Sequence, residues 1–336
     1  MRITTNAILR NYKNNLSTTI NTLNSSRTKV MTQRSFNSVA ENPGAAARAS
    51  QLHRKYYSNQ DNLSMLSDVQ SRQDGQEDAM RQINDMLKTI NKDYGIQAMN
   101  GTNQTKEVRE GYASALREFQ KTMVLSLNSS YEDTFLFAGS DGKNPPFTLT
   151  DDGTLTYRGY NVNAADGTAD KSALDTLSTE KLYVDLGMGL SLDENNKVVP
   201  SSAFNMSLPG INAVGYGKDS EGMSNNVIVL TGQMADLLSA ETFDAQAYQK
   251  LSAKFEDVSS GILNQITELG VKSEFLTTTK DRLENTDISL QEQMENVEGI
   301  DMAKAITDYM WNQYAYNAAL KVGTSILSPS FIDFMK

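Results

Sequence analysis

An apolar residue at every seventh position, sustained over many turns, constrains this chain more than any other feature. Leu9, Leu16, Leu23 and Val30 form one such series near the start. Phe255, Ile262, Leu269, Leu276, Leu283, Leu290 and Val297 form a longer one towards the end. A seven-residue repeat keeps an apolar stripe on one side of a helix and makes a coiled-coil seam. A seam needs a partner, so the two ends are expected to pair with each other or with neighbouring copies. The pattern points to assembly before it points to catalysis.

Local signals divide the rest. Residues 6–33 read as one amphipathic helix, with Tyr12 and Ile20 filling the face between the heptad positions. Ser, Thr and Asn make up 19 of the first 40 residues, and they favour helices weakly, so this helix is expected to be loose alone and ordered on assembly. Glu41-Asn42-Pro43-Gly44 punctuates the pattern, with Asn42 as N-cap and Pro43 in the first turn of a second helix. That helix is broken at Gly95 and Asn100-Gly101-Thr102, and a third spans 104–131. Residues 139–232 hold 12 of the 21 glycines and four of the six prolines, and read as short strands and turns. Asp151-Asp152-Gly153-Thr154 marks a hairpin between Phe147–Thr150 and Leu155–Arg158. Leu182–Leu186 and Val227–Leu230 are further strand candidates. Helix resumes near Phe243, and beside Gly299 the register shifts to a new frame of Met302, Ile306, Tyr309, Gln313, Tyr316 and Leu320. Pro329 stops the last helix, and the tail bearing Phe331 and Phe334 is expected to be buried in an assembly. The expected fold is mainly α: a long coiled-coil-like helical bundle formed by the two termini, with an inserted small β-rich domain.

Composition removes several functions. The net charge is −10, yet residues 1–40 carry six basic groups and no acidic one. Such an arm suits nucleic acid or an anionic membrane. The charges are spread out and lack an aromatic stacking platform, so acidic surfaces of its own kind are the simpler partner. No nucleic acid and no membrane insertion are expected, since no apolar run reaches the ~18 residues of a span. There is no cysteine, and the one histidine, His53, excludes a two-His zinc motif and reads as a surface residue. Gly187-Met-Gly189 and Gly215-Tyr-Gly217 lack the third glycine of a phosphate loop. Asp74, Glu77 and Asp78 read as a solvated helix face rather than a cation site, and Tyr309, Trp311, Tyr314 and Tyr316 as packing rather than a ligand box. Neither enzymatic activity nor a cofactor is expected.

Several motifs together resemble the bacterial flagellin family. Asp301-Met-Ala-Lys-Ala-Ile-Thr-Asp308, Tyr314-Ala-Tyr-Asn-Ala-Ala-Leu320 and Leu327-Ser-Pro-Ser-Phe-Ile-Asp-Phe334 look like its C-terminal end. Met1-Arg-Ile-Thr-Thr-Asn-Ala looks like its beginning, and Asn37-Ser-Val-Ala-Glu-Asn-Pro-Gly-Ala-Ala-Ala-Arg48 like the segment between its first two helices. Asn100-Gly-Thr-Asn103 is similar to another shared turn. The resemblance covers about 1–140 and 250–336. Tyr131-Glu-Asp-Thr-Phe-Leu-Phe-Ala-Gly-Ser140, Pro145-Pro-Phe147 and Tyr157-Arg-Gly159 look more like the hook-associated protein 3 branch, which joins hook to filament. The Asn-Gly-Thr-Asn turn and Asp301-Met-Ala look more like the filament subunits.

The resemblance implies an inner domain of 1–42 and 297–336, a rod-like domain of 43–140 and 245–296, and an outward-facing β-rich insert of 141–244. It implies a structural adaptor of the flagellum, exported by the flagellar type III apparatus to an extracellular place. Copies would form a ring through the terminal helices and template flagellin. The expected partners are other copies, the adjoining hook-associated protein and flagellin, and a cytosolic export chaperone at the C-terminal region. The expected assembly interface is Leu9, Leu16, Ile20, Leu23, Val30, Met302, Ile306, Tyr309, Tyr316, Leu320, Leu327, Phe331 and Phe334. Two alternatives stay open: filament flagellin itself, and an adhesin or glycan-binding module acting through the insert.

Overall fold

A computed structural model describes residues 5–96 and 105–327. Five long helices dominate: α1 (Thr5–Thr32), α2 (Pro43–Thr89), α3 (Lys106–Leu127), α7 (Ala245–Glu298) and α8 (Met302–Leu327). Asn42 and Pro43 start α2 as the sequence suggests, with the Ala45 N–H donating to Asn42 Oδ1 at 3.1 Å. A π-helical segment, Ile90–Ile96, follows α2 and contains Gly95. The Asn100-Gly101-Thr102 turn lies outside the described residues.

The chain divides into two compact units, one of residues 1–60 and 284–336, the other of residues 61–283. In the second, the heptad positions of α7 behave as a buried seam: Phe255, Ile262, Leu269, Leu276 and Leu283 are each at most 3% exposed. Phe255, Ile262 and Leu269 join Met80, Ile83 and Leu87 of α2 and Leu116, Met123 and Leu127 of α3 in one core. Leu276 and Leu283 join Leu66 and Val69 in another. Each large seam side chain contributes about 1.5–3 kcal/mol by leaving water. Polar side chains fix the level at which elements meet. Gln73 donates to the Leu269 carbonyl at 2.8 Å, and Gln76 to that of Leu136 at 2.7 Å, both buried.

Between α3 and α7 lie three small antiparallel sheets and three helices. β1 (Ser130–Tyr131) pairs with β2 (Thr134–Phe135), β3 (Phe147–Leu149) with β4 (Leu155–Tyr157) and β5 (Tyr160–Asn161), and β6 (Tyr183–Val184) with β7 (Phe204–Asn205). The β3–β4 hairpin closes with Leu149 opposite Leu155, around the Asp-Asp-Gly-Thr turn read from the sequence. The helices are α4 (Ala169–Ser178), α5 (Gly210–Val214) and α6 (Val227–Ser239).

Val227–Leu230 is therefore the first turn of a helix and not a strand. Asn226 caps it, its Oδ1 accepting from the Ile228 and Val229 N–H groups at 3.0 Å. A short apolar run buried on every side has no period to distinguish helix from strand. Buried Arg109 satisfies the other end, donating to the Leu238 and Ala240 carbonyls. Of Leu182–Leu186, only Tyr183–Val184 is extended.

The Gly187-Met-Gly189 segment wraps a carboxylate of the chain itself. Asp185 accepts from the N–H groups of Gly187, Met188, Gly189 and Leu190 at 3.0–3.3 Å. Gly187 and Gly189 supply the left-handed φ values, 77° and 79°, that turn those N–H groups inward. These bonds, that from Leu190 foremost, hold the Asp185 carboxyl below its ordinary value.

Leu276→Ala is expected to cost about 2–5 kcal/mol in denaturant unfolding of the chain, whereas exposed Leu263→Ala stays within about 0.5 kcal/mol. The Asp185 contribution has a defined pH window. Because its folded pKa is depressed, the stabilisation is complete above the ordinary carboxyl value of 3.8 and is lost as pH falls through the lower folded value. Chemical unfolding of Asp185→Asn at a series of pH values should show the largest deficit at neutral pH, and a shrinking one in acid. A deficit independent of pH would contradict this.

Candidate assembly interface

The expected pairing of the two ends is present: α1 packs along α8. The pair is antiparallel. Tyr12 Oη donates to the Ala319 carbonyl at 3.1 Å, Asn312 Nδ2 donates to Ser26 Oγ, and Arg34 bridges Gly299. On α1 the half-buried face is Leu9, Tyr12, Leu16, Thr19, Leu23, Ser26 and Val30, alternating steps of three and four. Its seam is thus half apolar and half polar. Most of the helix's hydroxyls turn back on the backbone: Thr18, Thr19, Thr22, Ser26, Thr28 and Thr32 each donate to the carbonyl four residues earlier. Such back-bonding satisfies the hydroxyls but slightly weakens a helix.

On α8 the face towards α1 is Met302, Ala305, Tyr309, Asn312, Tyr316, Ala319 and Gly323. This corrects the frame drawn through Ile306, Gln313 and Leu320. Counting only large apolar residues misses a seam built half from small and polar ones. The decisive position is Gly323. A Cβ there would lie 2.0 Å from Tyr12 Oη, so the phenol ring occupies the space a side chain would fill.

The structure therefore sorts the sequence-selected residues. Leu9, Leu16, Leu23, Val30, Met302, Tyr309 and Tyr316 share the seam of the pair. Ile20, Ile306 and Leu320 are exposed, at 36%, 44% and 40%. Leu327 ends α8, and its side chain, with Phe331 and Phe334, lies outside the described residues. Three residues not selected extend the exposed set: Met310, Trp311 and Tyr314, each at least 63% exposed, with the last two rings edge-on at 6.4 Å. Tyr309 and Tyr316 pack as expected, whereas Trp311 and Tyr314 face solvent. A groove of about 540 Å³ runs beside them, lined by Asn21, Ser25, Lys29, Asp308 and Trp311.

The end of α7 is tied to the α1–α2 connection. The Ser35 N–H donates to the Glu298 carbonyl at 2.7 Å, and the Glu298 carboxylate meets Arg34 at 3.5 Å and His53 Nε2 at 2.7 Å. His53 is thus half-buried and paired rather than a free surface residue. Below it, Asp287 accepts from Gln60 and Gln291 at 2.6 and 2.7 Å.

Among the described residues no group of three His, Cys, Asp or Glu side chains is placed to hold a metal ion. Burial, then the charges of Glu77 and Asp78, push the Asp74 carboxyl up, as on a crowded acidic face. No described helix is long and apolar enough to cross a membrane. Gly323→Val should expel the Tyr12 ring and unpair α1 from α8. Amide exchange of residues 8–30 is then expected to accelerate while that of 255–283 is unchanged; retained protection of α1 would show that the contact is dispensable.

Residues 3–141 match the family described as the bacterial flagellin N-terminal helical region. No curated protein is significantly similar in sequence. Among solved structures, a protein of Vibrio parahaemolyticus described as a flagellar hook-associated protein aligns at a TM-score of 0.59 with 15% identity, over 77% of this chain and 100% of that one. FlgL of Xanthomonas campestris aligns at 0.50 with 14% identity, over 74% of this chain and 99% of its own. At these identities the likeness is one of fold. Residues 3–141 are thus similar to the bacterial flagellin N-terminal helical region, and the fold of the chain is similar to that of the Vibrio parahaemolyticus protein.

Proposed function

We propose that the chain is a structural component of the flagellum that joins hook to filament, assembling into a ring through its terminal helices and offering flagellin a template. The observation that carries this reading is the unequal use of α8. One face is engaged by α1, while Ile306, Met310, Trp311, Tyr314 and Leu320 remain exposed on the other sides. A helix apolar on several sides suits burial among several neighbours, and one partner cannot cover it. The flagellin N-terminal region and the hook-associated relatives of the same fold support a flagellar structural role. The junction motifs at 131–140 and 145–147 favour an adaptor over a filament subunit. Burial of each large apolar side chain between copies contributes about 1.5–3 kcal/mol, part of which offsets the ordering of the terminal pair. In this reading an export chaperone covers the exposed residues of α8 before assembly, and the assembled protein lies outside the cell.

Two substitutions separate the two faces. Leu16→Asp is expected to unpair α1 from α8, and so to abolish assembly together with the helical signal of the termini. Leu320→Asp is expected to leave the pair folded and block only contacts between copies. Both are read by electron microscopy of hook fragments incubated with the chain and then with flagellin. Normal filaments from Leu320→Asp would contradict the reading. Long homopolymers of the unmodified chain growing from filament fragments would make it a filament subunit instead. A chain ending at Glu298 should lose the chaperone in pull-down; undiminished capture would place the chaperone elsewhere.

A further inference from the structure

The unit of residues 61–283 contains a second feature, lined by no residue of the terminal helices. A cleft of about 490 Å³ opens where β7, α5, the residues before α6, and α7 converge. Four carboxamides line it, one from each: Asn205, Asn212, Asn225 and Gln265. Their hydrogen-bonding capacity is only partly used. Asn205 Oδ1 accepts from the Leu182 and Ser207 N–H groups, which leaves its amino group. Asn212 Nδ2 donates to the Ser178 carbonyl at 2.7 Å, which leaves its oxygen. The side chains of Asn225 and Gln265 make no hydrogen bond among the described residues. In the same wall Ser207 is 7% exposed and its hydroxyl is buried with no partner. A buried unpaired hydroxyl is costly, and Ser207 is itself one of the residues that line the cleft.

The lining also restricts the ligand's charge. Glu180, Lys181, Glu268 and Lys272 supply two groups of each sign. Glu268 and Lys272 pair at 3.1 Å, and Glu180 is held by Arg158 at 2.9 Å. A phosphate or carboxylate finds no cluster of cations here, and a cation finds no uncompensated carboxylates. Amides that both donate and accept, together with hydroxyls, suit a molecule with many hydroxyls and little charge. An extended peptide would need a strand edge to pair with, and β6 and β7 are two residues each.

We propose that this cleft binds a neutral oligosaccharide, with Asn205, Asn212, Asn225 and Gln265 reading its hydroxyl groups. The site is independent of the terminal helices, so it stands or falls apart from the junction role.

The test is a titration of the full chain with maltotriose, cellotriose and triacetylchitotriose, each to about 10 mM, where a millimolar Kd is visible. A peptide, trialanine, serves as the control. The readout is the side-chain NH₂ resonances of asparagine and glutamine in amide-labelled protein. At least one sugar is expected to shift the cleft amides saturably. Asn212→Ala and Gln265→Ala should each weaken binding about two- to tenfold, and exposed Asn37→Ala should not. The Gln265 side chain makes no hydrogen bond among the described residues, so its variant reads the site even if Asn212→Ala perturbs folding. Three outcomes would overturn the proposal: no response to any sugar, a response unaltered by Gln265→Ala, or an equal response to trialanine.

Discussion

The structure depends on the burial of one apolar stripe. Phe255, Ile262, Leu269, Leu276 and Leu283 stand seven residues apart on α7, and every one is almost fully removed from water. Leu186 and Phe204 of the insert help to cover its Leu276–Leu283 end. Helices cover the rest: Met80, Ile83 and Leu87 of α2 and Leu116 and Met123 of α3 share the core of Phe255, Ile262 and Leu269. Apolar side chains alone would tolerate a slip of one heptad. Gln73 on the Leu269 carbonyl and Gln76 on the Leu136 carbonyl supply directional bonds that only one register satisfies.

The terminal pair follows the same rule with weaker materials. In α1, Leu9, Leu16, Leu23 and Val30 alternate with Tyr12, Thr19 and Ser26, and all are only half-buried. In α8, Ala305, Ala319 and Gly323 let the partner approach closely but bury little area of their own. The pair is fixed by shape, through Tyr12 over Gly323, and by single polar contacts such as Asn312 with Ser26. Such a seam specifies a register without great stability. That balance is what the proposed assembly among copies requires, and Trp311 and Tyr314 are exposed on the open side.

The long helices were legible because their signal is periodic. Leu9 to Val30 and Phe255 to Leu290 announce themselves, and Asn42-Pro43 gives the start of α2. The register break at Gly299 was also visible, and there Asp301 caps α8 by accepting from the Ala303 and Lys304 N–H groups. Three things were not legible. The face of α8 was misplaced because Ala305, Asn312, Ala319 and Gly323 carry no hydrophobic signal, yet they make the seam. Val227–Leu230 reads as a strand because this first turn of the helix Val227–Ser239 is apolar on all sides. The cleft of Asn205, Asn212, Asn225 and Gln265 joins residues up to 60 apart in sequence, and no spacing foretells that meeting.

Hydrogen exchange, compared between the free chain and the chain seated on hook ends, tests the central claim most directly. If the terminal helices are the assembly element, amides of 5–32 and 302–327 exchange quickly in the free chain and become protected on the hook. Those of 255–283 are protected equally in both. Terminal amides as protected in the free chain as those of the α7 seam, and unchanged on the hook, would contradict the account.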